Sequence, residues 1–224
     1  MPPAPCTRGM RFWPIELLQA LREACTRHGV YLIADEVMTG FGRTGSFFAC
    51  DQAMVSPDLM CLSKGLTGGI LPLSMTWTTD SIYEQFLGRW EEGRAFLHGH
   101  SFTANPIACA VACASLALFD EEPVLDRAAQ IHATLQEHWP RLAALPGLRR
   151  ARIRGTIAAI QMIDPATGEP HSPKDRIGMK LQHRALNQGL FIRPMGDCLY
   201  LMPPLCTTAA RMGESVETLR ALLT

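Results

Sequence analysis

The chain has 224 residues and carries 21 basic and 21 acidic side chains, so its formal charge is zero. Without a net positive field, nothing points to nucleic acid or an anionic membrane as partner, and a small molecule or another protein is expected instead. No apolar leader stretch and no run of about 18 apolar residues appears, which predicts a cytoplasmic protein with no membrane association.

Residues 14 to 28, PIELLQALREACTRH, place Ile15, Leu18, Leu21 and Cys25 on one helical face, with Pro14 at the start and Gly29 as the stop. VYLIADEV follows, a continuous apolar run closed by Asp35 and Glu36, and predicts a buried parallel strand. After the glycine-rich TGFGRTG, DLMCLSKG predicts a second buried strand ending at Lys64 and LPLSMTWT a third, with Asp80 as cap of a short helix. Asn105 and Pro106 open ANPIACAVACASLALF, whose small apolar residues predict close packing on several sides.

Composition then shifts toward charge, which sets a domain boundary: residues 1 to 121 and residues 122 to 224. In the second part Leu125, Ala128, Ile131, Leu135 and Leu142 mark an amphipathic helix, RIRGTIAAIQMI a strand, DRIGMKLQHRALNQG a helix, FIRP and CLYLMPP short strands, and TAARMGESVETLRALL a closing helix. The expected fold class is α/β: part of a large, mostly parallel sheet domain followed by a small α+β domain. The eight cysteines contain no CxxC pair and lie largely in apolar runs, which predicts reduced, buried thiols.

In open parallel sheets, ligands collect beyond the carboxyl ends of the strands. Asp35 and Lys64, 29 residues apart, each stand at such an end and can face one crevice; an ion pair at the sheet rim is the plain alternative. An aldehyde cofactor such as pyridoxal phosphate needs a lysine whose amine is neutral, so the ordinary pKa near ~10.4 must fall. It also needs a carboxylate facing the pyridine nitrogen, which keeps the ring an electron sink. A dinucleotide-binding fold is disfavoured, because TGFGRTG offers no GxGxxG opening a helix. His98 and His100 lack a third ligand for a metal site, so no metal is expected there.

LIADEVMTGFGRTGSFFACD, PDLMCLSKGLTGG, FLHGHSFTANPIACAVACASL and LFIRPMGDCLYLMPP occur in an order and spacing that resemble the class III pyridoxal-phosphate-dependent aminotransferases, from about Gly9 to the last helix. The resemblance implies the type I fold of pyridoxal-phosphate enzymes, with Lys64 as Schiff-base lysine and Asp35 as partner of the pyridine nitrogen. It implies that Gly99 touches substrate. His100 and Ser101 would reach the cofactor phosphate, crossing from the other subunit of a homodimer; the family usually has proline and threonine there.

Within the class, HGHSFTANPIACA with FIRPMGDCLYLMPP is most similar to the enzyme of biotin synthesis that converts 8-amino-7-oxononanoate to 7,8-diaminononanoate with S-adenosylmethionine as amino donor. There Arg193 would bind the substrate carboxylate, a role that a planar guanidinium suits. Arg43, in the loop after Asp35, is a further candidate for contact with the donor or a phosphate. Cys109 and Cys113, four apart on one helix, are expected to pack rather than bind metal.

Full-length members of the class have a long preceding segment with a phosphate-binding glycine and hydroxyl pair and an aromatic that stacks on the cofactor. Those motifs are not in this sequence, and MPPAPCTR stands where the family has a glycine-rich lead into GMRFW. The likeness therefore covers the carboxyl-terminal half, and it predicts uncovered sheet edges, aggregation and poor cofactor binding for these residues alone. Two other readings are another class III transaminase using an ω-amino acid or ornithine, and a nonenzymatic remnant that associates with an intact subunit.

Overall fold

The structure, a computed structural model, describes residues 10–224; the unusual MPPAPCTR start and Cys6 lie outside the described residues. The chain divides into two compact units. One runs through Pro14–Phe41 and Ser46–Pro123, and the other comprises Gly42–Gly45 and Val124–Thr224 together with the described residues 10 to 13.

In the first unit, helix α1 (Ile15–His28) follows Pro14 and stops at Gly29. Its apolar face is only half covered, and Leu21 remains exposed. Strand β1 (Ile33–Asp35) pairs in parallel with β2 (Leu59–Leu62), with Asp35 opposite Cys61, and the short helix α2 (Ala49–Gln52) lies between them in sequence. Strand β3 (Met75–Thr78) pairs antiparallel on the other side of β2.

This sheet has the order β1-β2-β3, so only β2 has neighbours on both edges. The expectation of a fully buried strand at VYLIADEV is corrected accordingly. β1 pairs along one edge only, and Tyr31 and Ile33 are exposed, as is Trp77 on β3. Asp80 begins the four-residue helix α3 (Asp80–Tyr83), and Thr79, not Asp80, is its cap residue.

Helix α4 (Pro106–Glu121) starts as the sequence predicts: the Asn105 side chain accepts from the backbone N–H groups of Ile107 and Ala108. Its expected burial on several sides does not occur. Ala108 and Ala112 are buried, whereas Ile107, Leu116 and Leu118 are exposed. The core of this unit is small and gathers around Phe41, Cys50, Met60, Leu62, Leu66 and Ala112.

The second unit closes on itself. Helix α5 (Val124–Ala143) buries Ala128, Ile131, Leu135, Trp139 and Leu142, while the first residue of the expected stripe, Leu125, stays partly exposed. RIRGTIAAIQMI is not one strand. It divides into β4 (Leu148–Arg154) and β5 (Ile157–Met162), which form an antiparallel hairpin across Gly155 and Thr156.

Gly155 has φ +54, and a Cβ there would meet the Thr44 backbone at 2.3 Å, so only glycine lets the 42–45 loop lie against this turn. Helix α6 (Ile177–Asn187) and strand β6 (Cys198–Leu201) follow, β6 pairing with β5, and α7 (Ala209–Leu223) closes the unit by burying Met212, Val216 and Leu219. FIRP is irregular rather than a strand, since Pro194 lacks a ladder donor. Trp139 satisfies its buried indole N–H on the Ala159 carbonyl at 3.3 Å.

Candidate active site

Lys64 stands two residues beyond the end of β2 and opens a single 3-10 turn. Its backbone has φ +47, a left-handed conformation that costs a non-glycine residue roughly 1–3 kcal/mol and persists where surroundings enforce it. Those surroundings are specific. The Leu66 N–H bonds back to the Ser63 carbonyl at 3.0 Å, the Ser63 hydroxyl donates to the Leu73 carbonyl at 2.8 Å, and the buried Thr67 hydroxyl donates to Leu71 at 2.6 Å. From α4, the Ser115 hydroxyl donates to the Gly65 carbonyl at 3.3 Å. The turn is fixed while the lysine side chain is exposed.

Asp35 ends β1, and the register sets it opposite Cys61, three residues before Lys64. Both residues thus stand at the same end of two neighbouring parallel strands, where ligands of such sheets gather. The Asp35 carboxylate is exposed; its Oδ1 accepts the Val37 N–H at 3.0 Å, and among the described residues no donor meets Oδ2.

The adjacent Glu36, which sequence reasoning did not single out, is 2% exposed. Its carboxylate accepts the Cys50 N–H at 2.9 Å and the Thr39 hydroxyl, pinning the loop after β1. Burial and the nearby Glu36 carboxylate push the Cys50 thiol up to about 12, so this cysteine is an inert part of the core.

Gly99, His100 and Ser101 belong to the same unit, in an exposed stretch before α4. His100 keeps the turn intact: its Nδ1 accepts the Phe102 N–H at 3.1 Å, and its own N–H donates to the Thr103 hydroxyl at 3.0 Å. That arrangement leaves Nε2 as the protonated nitrogen of the neutral ring. Among the described residues no group of three or more His, Cys, Asp or Glu is placed to hold a metal.

Arg193 lies in the second unit, exposed, and lines a cleft with Phe191, Tyr200, Met202 and Pro203. Arg211 also lines it, but its guanidinium is paired with Glu214 at 3.1 Å, which leaves Arg193 beside apolar side chains as the group suited to a chain that ends in a carboxylate. Arg43 is different. Its guanidinium donates to the Pro203 carbonyl, its own carbonyl accepts the Thr156 N–H at 3.0 Å, and burial lowers its pKa. It ties the 42–45 loop into the second unit, a structural role.

The likeness of the sequence motifs extends over the chain. A model of the class III aminotransferases matches residues 2–223. The chain belongs to this family. The adenosylmethionine-8-amino-7-oxononanoate aminotransferase of Nitratidesulfovibrio vulgaris is 42% identical over 223 residues, covering 96% of this chain and 40% of the relative.

The crystal structure of the enzyme of that name from Methanocaldococcus jannaschii matches with a TM-score of 0.92 at 35% identity, over 97% of this chain and 51% of the other. An amine transaminase from an uncultivated Pseudomonas species, solved with pyridoxal phosphate bound, matches with a TM-score of 0.89 at 32% identity, over 97% and 49%. This class III chain therefore has the type I fold of pyridoxal-phosphate enzymes, with pyridoxal phosphate as the family's cofactor, and spans about half the length of the relatives it matches.

Proposed function

We propose that this chain supplies the lysine-bearing half of an aminotransferase that converts 8-amino-7-oxononanoate to 7,8-diaminononanoate in biotin synthesis, with S-adenosylmethionine as amino donor. The observation that carries the reading is Lys64 held in a left-handed turn beside Asp35, at one end of two parallel strands. The relatives' names supply the substrate pair.

The two residues fit pyridoxal phosphate by their chemistry: an accessible amine for its aldehyde, and an exposed carboxylate for its ring nitrogen, with one oxygen held by the Val37 N–H. The cofactor, when bound, supplies the electron sink. With the cofactor bound, the ε-amine of Lys64 would serve as general base and then general acid toward the substrate. Asp35 would face the ring nitrogen and favour its protonated form. Gly65 keeps the lysine turn close to the Phe41 loop, so that the amine returns to one position.

Arg193 binds the substrate carboxylate, and the apolar walls of its cleft receive the chain. Gly99 borders the substrate, and His100 and Ser101 serve the cofactor phosphate of a partner subunit in a homodimer, with the Ser101 hydroxyl and His100 Nε2 as donors. No helix among the described residues is long and apolar enough to cross a membrane; we place the enzyme in the cytoplasm. We place residues 1–121 with the large cofactor-binding domain and residues 122–224 with the small one, except that the described residues 10–13 and the loop 42–45 pack with the second unit.

The test is borohydride trapping of added pyridoxal phosphate followed by peptide mapping, run beside Lys64→Ala. A visible absorbance band with label on the Lys64 peptide, both lost in the variant, is the expected outcome; label spread over surface lysines sinks the assignment. For the substrate, a complete enzyme carrying these residues should transfer from S-adenosylmethionine and not from ω-amino acids or ornithine. The reverse preference would favour a general amine transaminase, which the match to the Pseudomonas structure keeps in view.

A further inference from the structure

A second concave site lies wholly within the second unit: a cleft of about 900 Å³ bordered by residues 11–13, strand β4, the loop before α6 and the turn before β6. Four arginines line it, Arg11, Arg150, Arg152 and Arg176, and one acidic residue, Asp197. That carboxylate is already occupied, since Gln161 Nε2 donates to it at 2.9 Å. In a chain whose basic and acidic residues are equal in number, such one-sided charge costs self-repulsion unless an anion relieves it.

The backbone has been shaped to produce this arrangement. Strand β4 carries one extra residue between Arg149 and Arg152 relative to β5, a bulge, and Arg150 within it has φ +54. Bulges re-aim side chains and recur beside functional sites. Arg152 is the frame of the cleft: Nε donates to the Met10 carbonyl at 2.5 Å and Nη1 to the Arg150 carbonyl at 2.5 Å, while Nη2 lies 3.6 Å from the Cys198 sulfur. It ties residue 10 and the bulge to β6. Arg11, Arg150 and Arg176 are exposed, and among the described residues no carboxylate pairs with any of them.

We propose that this cleft binds a small, multiply charged oxyanion, a di- or triphosphate or a di- or tricarboxylate, apart from the transamination site. Planar guanidinium forks match phosphate and carboxylate oxygens two at a time. Three arginines whose guanidinium groups have no partner among the described residues line the same cleft as a fourth that is fixed, and Trp13 forms part of the wall. The inference does not depend on the biotin reading, because it uses neither Lys64 nor Arg193.

The test titrates the full chain with inorganic pyrophosphate and, separately, citrate, read by calorimetry and by tryptophan fluorescence with Trp13→Phe as the control for the signal. Saturable binding is expected with at least one probe, weakened about tenfold or more by Arg150→Gln and by Arg176→Gln, a loss of roughly 1.4 kcal/mol or more. Arg193→Gln and the surface variant Arg141→Gln should leave it unchanged, with circular dichroism showing all variants folded. Binding of pyrophosphate alone assigns a phosphate ligand, and of citrate alone a carboxylate ligand. No saturation by either probe up to about 10 mM, a range that corresponds to less than ~3 kcal/mol of affinity, overturns the proposal. So does equal weakening by Arg141→Gln, which would reduce the effect to diffuse charge.

Discussion

Gly65 decides what can follow the candidate lysine. A Cβ on it would sit 2.6 Å from the Phe41 ring, and Phe41 is itself buried with φ +59, so neither partner can yield cheaply. Gly65→Ala is expected to destabilise the first unit by about 1–3 kcal/mol, the usual cost of overpacking. Urea unfolding followed by a probe in that unit should show the lowered midpoint, and trapping of pyridoxal phosphate on Lys64 should fall with it. Unchanged stability would mean that the Phe41 loop is not the clamp on the lysine turn. Asp35 and Glu36 show how far residue identity could be read. Two adjacent carboxylates close the apolar run, Asp35 at the end of β1 and Glu36 just after it, one exposed and one buried; alternation of an extended chain turns neighbours to opposite sides, but it does not say which faces the core. The chemistry of the site singled out Asp35, and Glu36 became visible only through the Cys50 and Thr39 groups that it satisfies.

At the scale of elements, Asp58 joins helix to sheet. Its Oδ2 accepts both the Leu32 N–H at the entry to β1 and Arg22 Nη1 from α1, each at 2.7 Å. The Leu32 hydrogen bond first, and then the Arg22 bond, hold this carboxyl below its ordinary range. A depressed folded-state pKa stabilises the fold above the unfolded value of about 3.9, and the contribution disappears as pH falls through the folded value. Asp58→Asn should therefore cost about 1 kcal/mol near neutral pH, with the gap to wild type closing below about pH 4. Urea midpoints measured at neutral pH and stepwise below it check this; a gap that is constant with pH would assign the effect to packing.

The elements themselves were largely legible. Helical spacing located α1 and α5, Asn105 with Pro106 located the start of α4, and continuous apolar runs located β1 and β2. What misled was burial, because an apolar pattern shows that a face needs covering and not that this chain covers it. Ile107, Leu116 and Ile33 are exposed for that reason. The β4–β5 hairpin was missed because Gly155 and Thr156 interrupt an otherwise unbroken strand composition by only two residues. The arginine cleft was missed because its members come from four separate stretches of sequence.

For the whole molecule, the two units differ in how completely each forms a core. The second unit gathers fifteen buried residues from α5, β5, α6, β6, α7 and the residue 192 region, whereas the first gathers six. Large apolar side chains of the first unit, among them Tyr31, Trp77, Phe96, Leu97 and Phe102, face solvent. Burial of apolar surface is the main favourable term in folding, so local opening free energies should follow this division.

Hydrogen exchange on the full chain is expected to show its slowest amides in β5 and the middle of α5. β1 and β3 should exchange much faster, and a dye for exposed apolar surface should bind before any denaturant is added. Addition of a complete class III aminotransferase subunit that covers the exposed faces should slow β1 and β3 selectively, since β5 already opens only with its own unit. Equal protection of β1 and β5 in the chain alone would show that the first unit is held together by more than the six-residue core and its three-stranded sheet.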